Sequence, residues 1–150
     1  MNDNLASLGY RMPAEWEKQS STWLAWPHNK NDWPDKFENI PSTFAKITSA
    51  LSKVQNVDIL IQSKIVKKNI KKILIKEQTN LNRVNFHIIK TNRVWTRDTG
   101  PIFLVNDLLK KKIMTNFHFN AWAKYKDYNF DNAIKPVSYT HLRAHETRED

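Results

Sequence analysis

The chain has 150 residues, which is long enough for one domain with a hydrophobic core. Hydrophobic residues make up 40% of it and the mean hydropathy is −0.66, as is typical of a folded, soluble protein. The sequence contains no cysteine, which excludes disulfides, thiolate metal sites and a cysteine nucleophile from these 150 residues.

The formal net charge of +9 comes from lysine runs at residues 67–68, 71–72 and 110–112. One interpretation is a basic patch that binds nucleic acid or a membrane surface. The other is a solvated lysine face, which we favour because no interleaved aromatic residues accompany the charge. The first ten residues lack the features of a signal peptide, and no apolar run approaches the length of a membrane span, about 20 residues. We therefore predict a cytoplasmic protein.

Strand and helix patterns alternate after an irregular segment at residues 1–20. Residues 22–26 predict a buried strand that ends before Pro27. Apolar residues spaced three and four apart between Phe37 and Val54 predict a helix. Pro41 lies inside this pattern, where it either kinks one helix or opens a second one.

The second half of the pattern predicts two more strands, a helix and a hairpin. Residues 57–61 predict a short buried strand, and Ser63 is a candidate N-cap of a helix with an apolar face of Val66, Ile70, Ile73 and Leu74. Alternation at residues 84–88 predicts a half-buried strand. Residues 102–105 and 111–120 predict a hairpin, so the whole order predicts an α/β or α+β fold with a mixed sheet.

The loop at residues 91–101 holds the best candidates for binding or catalytic side chains. It holds one of only two glycines, Gly100, and places Trp95 and Asp98 between apolar segments. A carboxylate beside an indole is suited to a guanidinium or an ammonium, through paired N–H bonds and contact with the aromatic face. The alternative, which the residues alone favour, is an internal ion pair of Asp98 with Arg97 or Arg93 that merely fixes the loop.

The five histidines form no recognisable metal or catalytic pattern. His28 lies in a predicted loop. His87 and His118 lie on predicted strands, where a partly exposed structural role is favoured over a metal-binding one. We therefore predict no metal site, and the sequence also lacks a glycine-rich phosphate loop and a nucleophile elbow.

Several segments together resemble agmatine deiminases, the family that also holds the bacterial peptidylarginine deiminases. In chain order they are residues 11–17 (Arg-Met-Pro-Ala-Glu-Trp-Glu), 22–29 (Thr-Trp-Leu-Ala-Trp-Pro-His-Asn), 32–34 (Asp-Trp-Pro), 93–101 (Arg-Val-Trp-Thr-Arg-Asp-Thr-Gly-Pro) and 119–122 (Phe-Asn-Ala-Trp). The specific part of this signature is Trp-x-Arg-Asp-x-Gly-Pro. The resemblance covers residues 10–132.

The resemblance implies a pentein fold, a β/α-propeller of five pseudo-symmetric ββαβ modules around a central substrate channel. A complete member of the family is more than twice as long as this chain. Residues 1–136 are therefore expected to be the N-terminal part of a single catalytic domain, forming the first two modules. Residues 137–150, which include His141 and His145, change in composition and are expected to be a non-native or disordered tail.

The resemblance also implies hydrolysis of the agmatine guanidinium to N-carbamoylputrescine and ammonia, in putrescine biosynthesis, without a metal or organic cofactor. In the family a cysteine thiolate attacks the guanidinium carbon, a histidine transfers protons and two carboxylates bind the guanidinium nitrogens. Asp98 matches one of these carboxylates, as a catalytic and substrate-binding residue. Trp95 matches a substrate-binding aromatic, and Arg97 and Gly100 are expected to brace the loop.

The chain also departs from the family. The catalytic cysteine and a His-x-Asp/Glu motif are absent, so these 150 residues alone are expected to be inactive and poorly folded. After Trp122, residues 123–125 (Ala-Lys-Tyr) stand where many relatives carry glycines.

Two alternatives stay open: a peptidylarginine deiminase of the same family, and a non-catalytic basic module that binds nucleic acid. Under the leading hypothesis the partner is a small guanidinium substrate, not nucleic acid or a membrane. The complete protein is also a candidate homo-oligomer.

Overall fold

Three short parallel strands form the main sheet of the computed structural model, which describes residues 4–134. Strand β1 is Ser21–Ala25, β2 is Asn56–Ile61 and β3 is Val84–Ile88, with β2 in the middle. All of β2 except its first residue is buried. This burial on both faces is the usual situation of a central parallel strand, and it accounts for the nearly continuous apolar sequence of β2.

Two helices of 13 residues, α1 (Ile40–Ser52) and α2 (Lys64–Lys76), cover one face of this sheet. Their buried side chains and the side chains of β2 share one core cluster, which includes Ala45, Val57, Ile59, Ile70 and Leu74. The opposite side of α2 carries exposed lysines, at positions 64, 68, 71, 72 and 76. The lysine-rich sequence of α2 is thus compatible with an amphipathic helix whose charged side faces water.

The second face of the sheet holds a smaller core cluster, formed by Ala25, Leu60, Ile89, Val94 and Ile134. Two of these residues, Ile89 and Val94, belong to the segment that follows β3. The first part of the segment that follows β3 therefore packs against the sheet.

The remaining elements are short. They are the one-turn helix α3 (Thr96–Thr99), the antiparallel strands β4 (Ile102–Asn106) and β5 (Lys111–Thr115), and the one-turn helix α4 (Asn129–Asn132). The N-terminal segment contacts the hairpin, because Arg11 forms an isolated antiparallel bridge with Val105. Among residues 4–134, none of the helices combines the length and the apolar character needed to cross a membrane.

The structure confirms a mixed α/β fold and corrects several details of the prediction. Within residues 4–134, β4 and β5 form a separate two-stranded sheet and not part of one mixed sheet. Strand β5 ends at Thr115, five residues earlier than predicted. Pro41 lies in the first turn of α1, so it opens this helix after a 3₁₀ turn at Phe37–Asn39. Ser63 is the N-cap residue of α2, but its side chain makes no capping hydrogen bond.

The tail predicted at residues 137–150 lies outside the described residues. The prediction of a non-native or disordered segment there remains a prediction. The same holds for the boundary at residue 136.

Candidate functional site

Trp95 and Asp98 lie in the loop between β3 and β4, which follows the carboxyl end of β3. Trp95 is the N-cap residue of α3, and the N–H group of Asp98 donates a hydrogen bond to the carbonyl of Trp95 at 3.1 Å. The side chain of Thr96 ties the same turn to β1, since its hydroxyl donates to the carbonyl of Trp23 at 3.0 Å. The two residues that the sequence singled out are thus held one helical turn apart.

Asp98 is exposed, and its carboxylate is not neutralised by either neighbouring arginine. Arg97 pairs with Glu15 at 2.6 Å, and Arg93 pairs with Asp127 at 2.9 Å. Within residues 4–134, neither arginine forms an ion pair with Asp98, so the interpretation of an internal ion pair in the loop is wrong. An ionised carboxylate has about four acceptor positions, and those of Asp98 are therefore largely available to a bound cation.

One indole ring contacts Asp98, and a second belongs to Trp95, one helical turn earlier in the chain. The Nε1–H group of Trp122 donates to Oδ1 of Asp98 at 3.4 Å, and the side chains of both Trp95 and Trp122 are 46% exposed. Trp95 also packs against Trp33, with ring centroids 6.5 Å apart. Exposed indole faces next to a carboxylate are suited to a planar cation and its alkyl stem. Trp122 was not among the predicted site residues, although it belongs to the segment at residues 119–122 that resembles the family.

Gly100 ends α3 where the main chain leaves no room for a side chain. Its N–H group donates to the carbonyl of Thr96 at 2.8 Å, and a Cβ atom at this position would lie 2.5 Å from the same carbonyl oxygen. Because a Cβ atom cannot approach an oxygen so closely, only glycine fits this turn without a backbone shift. The turn therefore depends on Gly100, although its predicted role in bracing the loop remains a prediction.

The ion pair between Arg97 and Glu15 connects α3 to the N-terminal segment. Both side chains are largely exposed, and exposed ion pairs contribute little to stability. The contact is compatible with the predicted role of Arg97 in bracing the loop, a role that likewise remains a prediction.

Arg93 is buried beside the loop in a cluster of carboxylates. Its guanidinium donates to the main-chain carbonyl of Asp127 at 2.8 Å and to its carboxylate at 2.9 Å, and it lies 3.9 Å from the centre of the Tyr125 ring. The hydrogen bond from Arg93 lowers the pKa of Asp127. Asp32 lies 3.6 Å from Arg93, yet burial raises the pKa of its carboxyl group because desolvation outweighs the nearby positive charge. The cluster thus attaches the loop to the segment at residues 125–131.

Within residues 4–134, His28, His87 and His118 have different partners. His28 Nδ1 lies 3.1 Å from the carbonyl oxygen of Trp26. His87 lies on β3, as predicted, but it is buried: its Nε2 atom is 2.7 Å from the Asp58 carboxylate, and its ring stacks on Trp23 at 4.8 Å. The predicted partial exposure of His87 is therefore wrong.

His118 lies after β5 and not on a strand, and its ring is 6.4 Å from that of Tyr128. In the part of the chain that the structure describes, no three side chains of the His, Cys, Asp and Glu types are grouped so that they could hold a metal ion.

Comparison with known proteins places the chain in a family. The family model described as Porphyromonas-type peptidyl-arginine deiminase matches residues 11–150, a longer part of the chain than the resemblance found from the sequence. The agmatine deiminase of Pseudomonas syringae pv. tomato is 24% identical over 141 residues, which cover 89% of this chain and 36% of that protein.

Two solved structures show the same fold. The C315S variant of C. jejuni agmatine deiminase, with substrate bound, has a TM-score of 0.73 and 26% identity, and the match covers 87% of this chain and 36% of that one. The agmatine deiminase of Enterococcus faecalis has a TM-score of 0.75 and 24% identity, with 90% and 36% of the two chains covered. The present chain thus spans about a third of the length of these relatives. Together, the family match and the shared fold show that the chain belongs to the Porphyromonas-type peptidyl-arginine deiminase family.

Proposed function

We propose that the complete protein hydrolyses the guanidinium group of agmatine to N-carbamoylputrescine and ammonia, and that this chain contributes its guanidinium-binding loop. The observation that carries the proposal is the Asp98 carboxylate, which is exposed, pairs with neither neighbouring arginine and lies one helical turn from the exposed indole of Trp95. The relatives described as agmatine deiminases support this choice of substrate.

The chemistry of a guanidinium substrate requires a group of this kind. The positive charge is spread over three nitrogens, so the central carbon resists a nucleophile until the nitrogens are held in place. Asp98 accepts paired N–H bonds from the guanidinium and fixes its plane, while Trp95 covers its face or the alkyl chain. Water supplies the oxygen of the product, and one guanidinium nitrogen leaves as ammonia.

The nucleophile of this reaction is not among these 150 residues, since the chain contains no cysteine. We propose that the attacking thiolate and a proton-transferring histidine lie in the part of the relatives that this chain does not cover, which is about two thirds of their length. In this proposal the complete protein is a cytoplasmic pentein that acts in putrescine biosynthesis, and residues 1–136 form roughly its first two modules. A homo-oligomer is part of the same proposal.

The experiment is ammonia release from agmatine by the complete protein, expressed from the full gene, with Asp98→Asn as the variant. The substitution keeps the size of the side chain but removes the charge that pairs with the guanidinium, so we expect activity to fall below a few per cent of the wild type. Asp35→Asn is the matched control, because Asp35 is also exposed and its φ of 59° suits asparagine. Substantial activity in Asp98→Asn would remove Asp98 from the site.

A second candidate function is deimination of arginine within a peptide. It is favoured by the family match, whose description names peptidyl-arginine. The same assay distinguishes the two, with an arginine-containing peptide in place of agmatine. Higher kcat/KM on the peptide would overturn agmatine as the substrate and leave the role of Asp98 in place.

A further inference from the structure

The loop that carries Trp95 and Asp98 is held at its beginning by a reciprocal exchange of hydrogen bonds. The Asp131 carboxylate oxygen Oδ1 accepts the main-chain N–H groups of Asn92 at 2.7 Å and of Arg93 at 3.1 Å. In the other direction, the Asn92 side-chain oxygen accepts the N–H groups of Phe130 at 2.9 Å and of Asp131 at 3.3 Å. Each side chain thereby satisfies the main chain of the other segment, which fixes both backbones relative to one another.

The exchange is buried at its centre, around Asp131 and Arg93. Asp131 is fully buried and Arg93 is nearly so. The N–H groups of Asn92 and Arg93 would lose their acceptor if the Asp131 carboxylate were absent, and the cost is high at Arg93, whose N–H group is buried. Burial raises the pKa of Asp131, whereas the N–H groups of Arg93 and Asn92 lower it. The geometry identifies an acceptor as the contribution of this position, because a single carboxylate oxygen takes both N–H groups.

The same downstream segment reaches the loop at two further points. Arg93 donates to the carbonyl and the carboxylate of Asp127, and Trp122 donates to Asp98. Residues 122–131 thus contact the loop both where it begins and at its functional carboxylate. Trp95 lies between these two attachments in the sequence.

We propose that Asp131 is a positioning residue, which fixes the main chain of Asn92 and Arg93 and so orients Trp95 and Asp98 for the guanidinium. The orienting role rests on the proposed function, because it assumes that Trp95 and Asp98 bind a guanidinium. The attachment of the loop by Asp131 does not depend on that function. Asp131, a buried residue outside the loop, thus affects substrate binding without contacting the substrate.

The test compares Asp131→Ala and Asp131→Asn in the complete protein. The alanine variant removes the acceptor, so we expect faster amide hydrogen exchange at Asn92 and Arg93, a raised KM for agmatine and about a tenfold or greater loss of kcat/KM. The asparagine variant keeps an oxygen that accepts both N–H groups, so we expect it to restore most of the exchange protection and of kcat/KM. Unfolding midpoints establish that each variant is folded at the assay temperature.

Asn129→Ala is the matched control, because Asn129 is an exposed residue of the same short helix α4. We expect it to leave both kcat/KM and the amide hydrogen exchange of Asn92 and Arg93 unchanged. If Asp131→Ala does not fold, Asn92→Ala takes its place. It removes the acceptor of the Phe130 and Asp131 N–H groups, so we expect faster amide hydrogen exchange at those two residues, with the same rise in KM and loss of kcat/KM.

Two results would overturn the positioning role. One is a folded Asp131→Ala protein with kcat/KM and KM equal to the wild type. The other is an Asp131→Asn protein as impaired as the alanine variant, because the acceptor would then not be the property that matters. A wild type without deiminase activity on agmatine or on peptidyl-arginine would overturn the proposed function and the orienting role with it. The rate of amide hydrogen exchange at Asn92 and Arg93 would still decide whether Asp131 holds the loop.

Discussion

Asp98 keeps its carboxylate accessible because its arginine neighbours have other partners. Arg97 turns to Glu15 and Arg93 to Asp127. The hydrogen bond that Asp98 receives from Trp122 is long, at 3.4 Å, and a charged donor such as a guanidinium competes well with it. Within the part of the chain that the structure describes, Asp98 is thus held in place by its backbone in α3 and forms no ion pair of its own.

Trp95 offers a separate test of the site at the level of one residue. In the complete protein, Trp95→Ala removes an exposed aromatic face, so we expect the KM for agmatine to rise about tenfold, with a smaller change in kcat. Steady-state kinetics of ammonia release measures both constants.

Trp95→Phe is the control for this substitution. It retains an aromatic face of smaller size, and we expect a KM between those of the wild type and the alanine variant. An unchanged KM in Trp95→Ala would mean that the indole does not pack on the substrate.

Residue types suggested candidate residues but did not predict their partners. Trp95 and Asp98 stood out because an indole and a carboxylate in one short loop suit a cation. The internal ion pair was a reasonable alternative for adjacent charges, and it is wrong because Glu15 and Asp127 arrive from distant parts of the chain. A sequence shows which charges are neighbours along the chain, whereas the partner of each charge is decided by the fold.

Within residues 4–134, the 3₁₀ turn at Ala121–Ala123 has a strained backbone. Its three residues have φ values of 52°, 56° and 56°, in the left-handed region that favours glycine. Each non-glycine residue in this region costs about 1–2 kcal/mol. The turn positions Trp122, which donates to Asp98, so the strain is located next to the candidate site.

Glycine in place of Ala123 should relieve part of this strain. We expect Ala123→Gly to stabilise the complete protein, by up to about 1 kcal/mol once the greater freedom of glycine in the unfolded chain is counted. The free energy of unfolding in urea measures the change.

Ala133→Gly is the matched control, because Ala133 is also exposed but has a φ of −86°. Glycine gains nothing there and adds freedom to the unfolded chain, so this variant should be less stable than the wild type. Equal destabilisation by both substitutions would contradict the strain at Ala123.

Elements were predicted best where apolar periodicity was strong. The core positions Ile70 and Leu74 of α2 and the strand around Ile59 follow from their spacing. The hairpin was harder to predict, since Phe117 continues the alternation of β5 although the strand has ended at Thr115. The short helices α3 and α4 have no periodic signal at all, because one turn of helix is too short to show a repeat.

The whole molecule leaves large apolar side chains in contact with water. They include Trp16, Ile102, Phe103, Leu108, Leu109 and Phe117. Several of them belong to the β4–β5 hairpin, whose two strands form a sheet of their own within residues 4–134. A two-stranded sheet is marginally stable in water unless another element packs on it.

We therefore expect the 150-residue chain, purified alone, to self-associate through these surfaces. Sedimentation velocity over a range of concentrations measures the association, and the complete protein is the comparison. A monodisperse monomer of 150 residues that unfolds cooperatively in urea would contradict this expectation and would show that the exposed apolar surface needs no partner.

The attachment of the loop by Asp131 has a consequence for the order in which the protein is made. The sheet strands β1 to β3 and the loop with Trp95 and Asp98 all leave the ribosome before the residues that hold the loop. Asp131 is added about 33 residues after Asp98, a delay of roughly 2–7 s at ordinary rates of protein synthesis. During this interval the backbone of Asn92 and Arg93 has no acceptor from Asp131. The site therefore reaches its final geometry only some time after Trp95 and Asp98 have been synthesised.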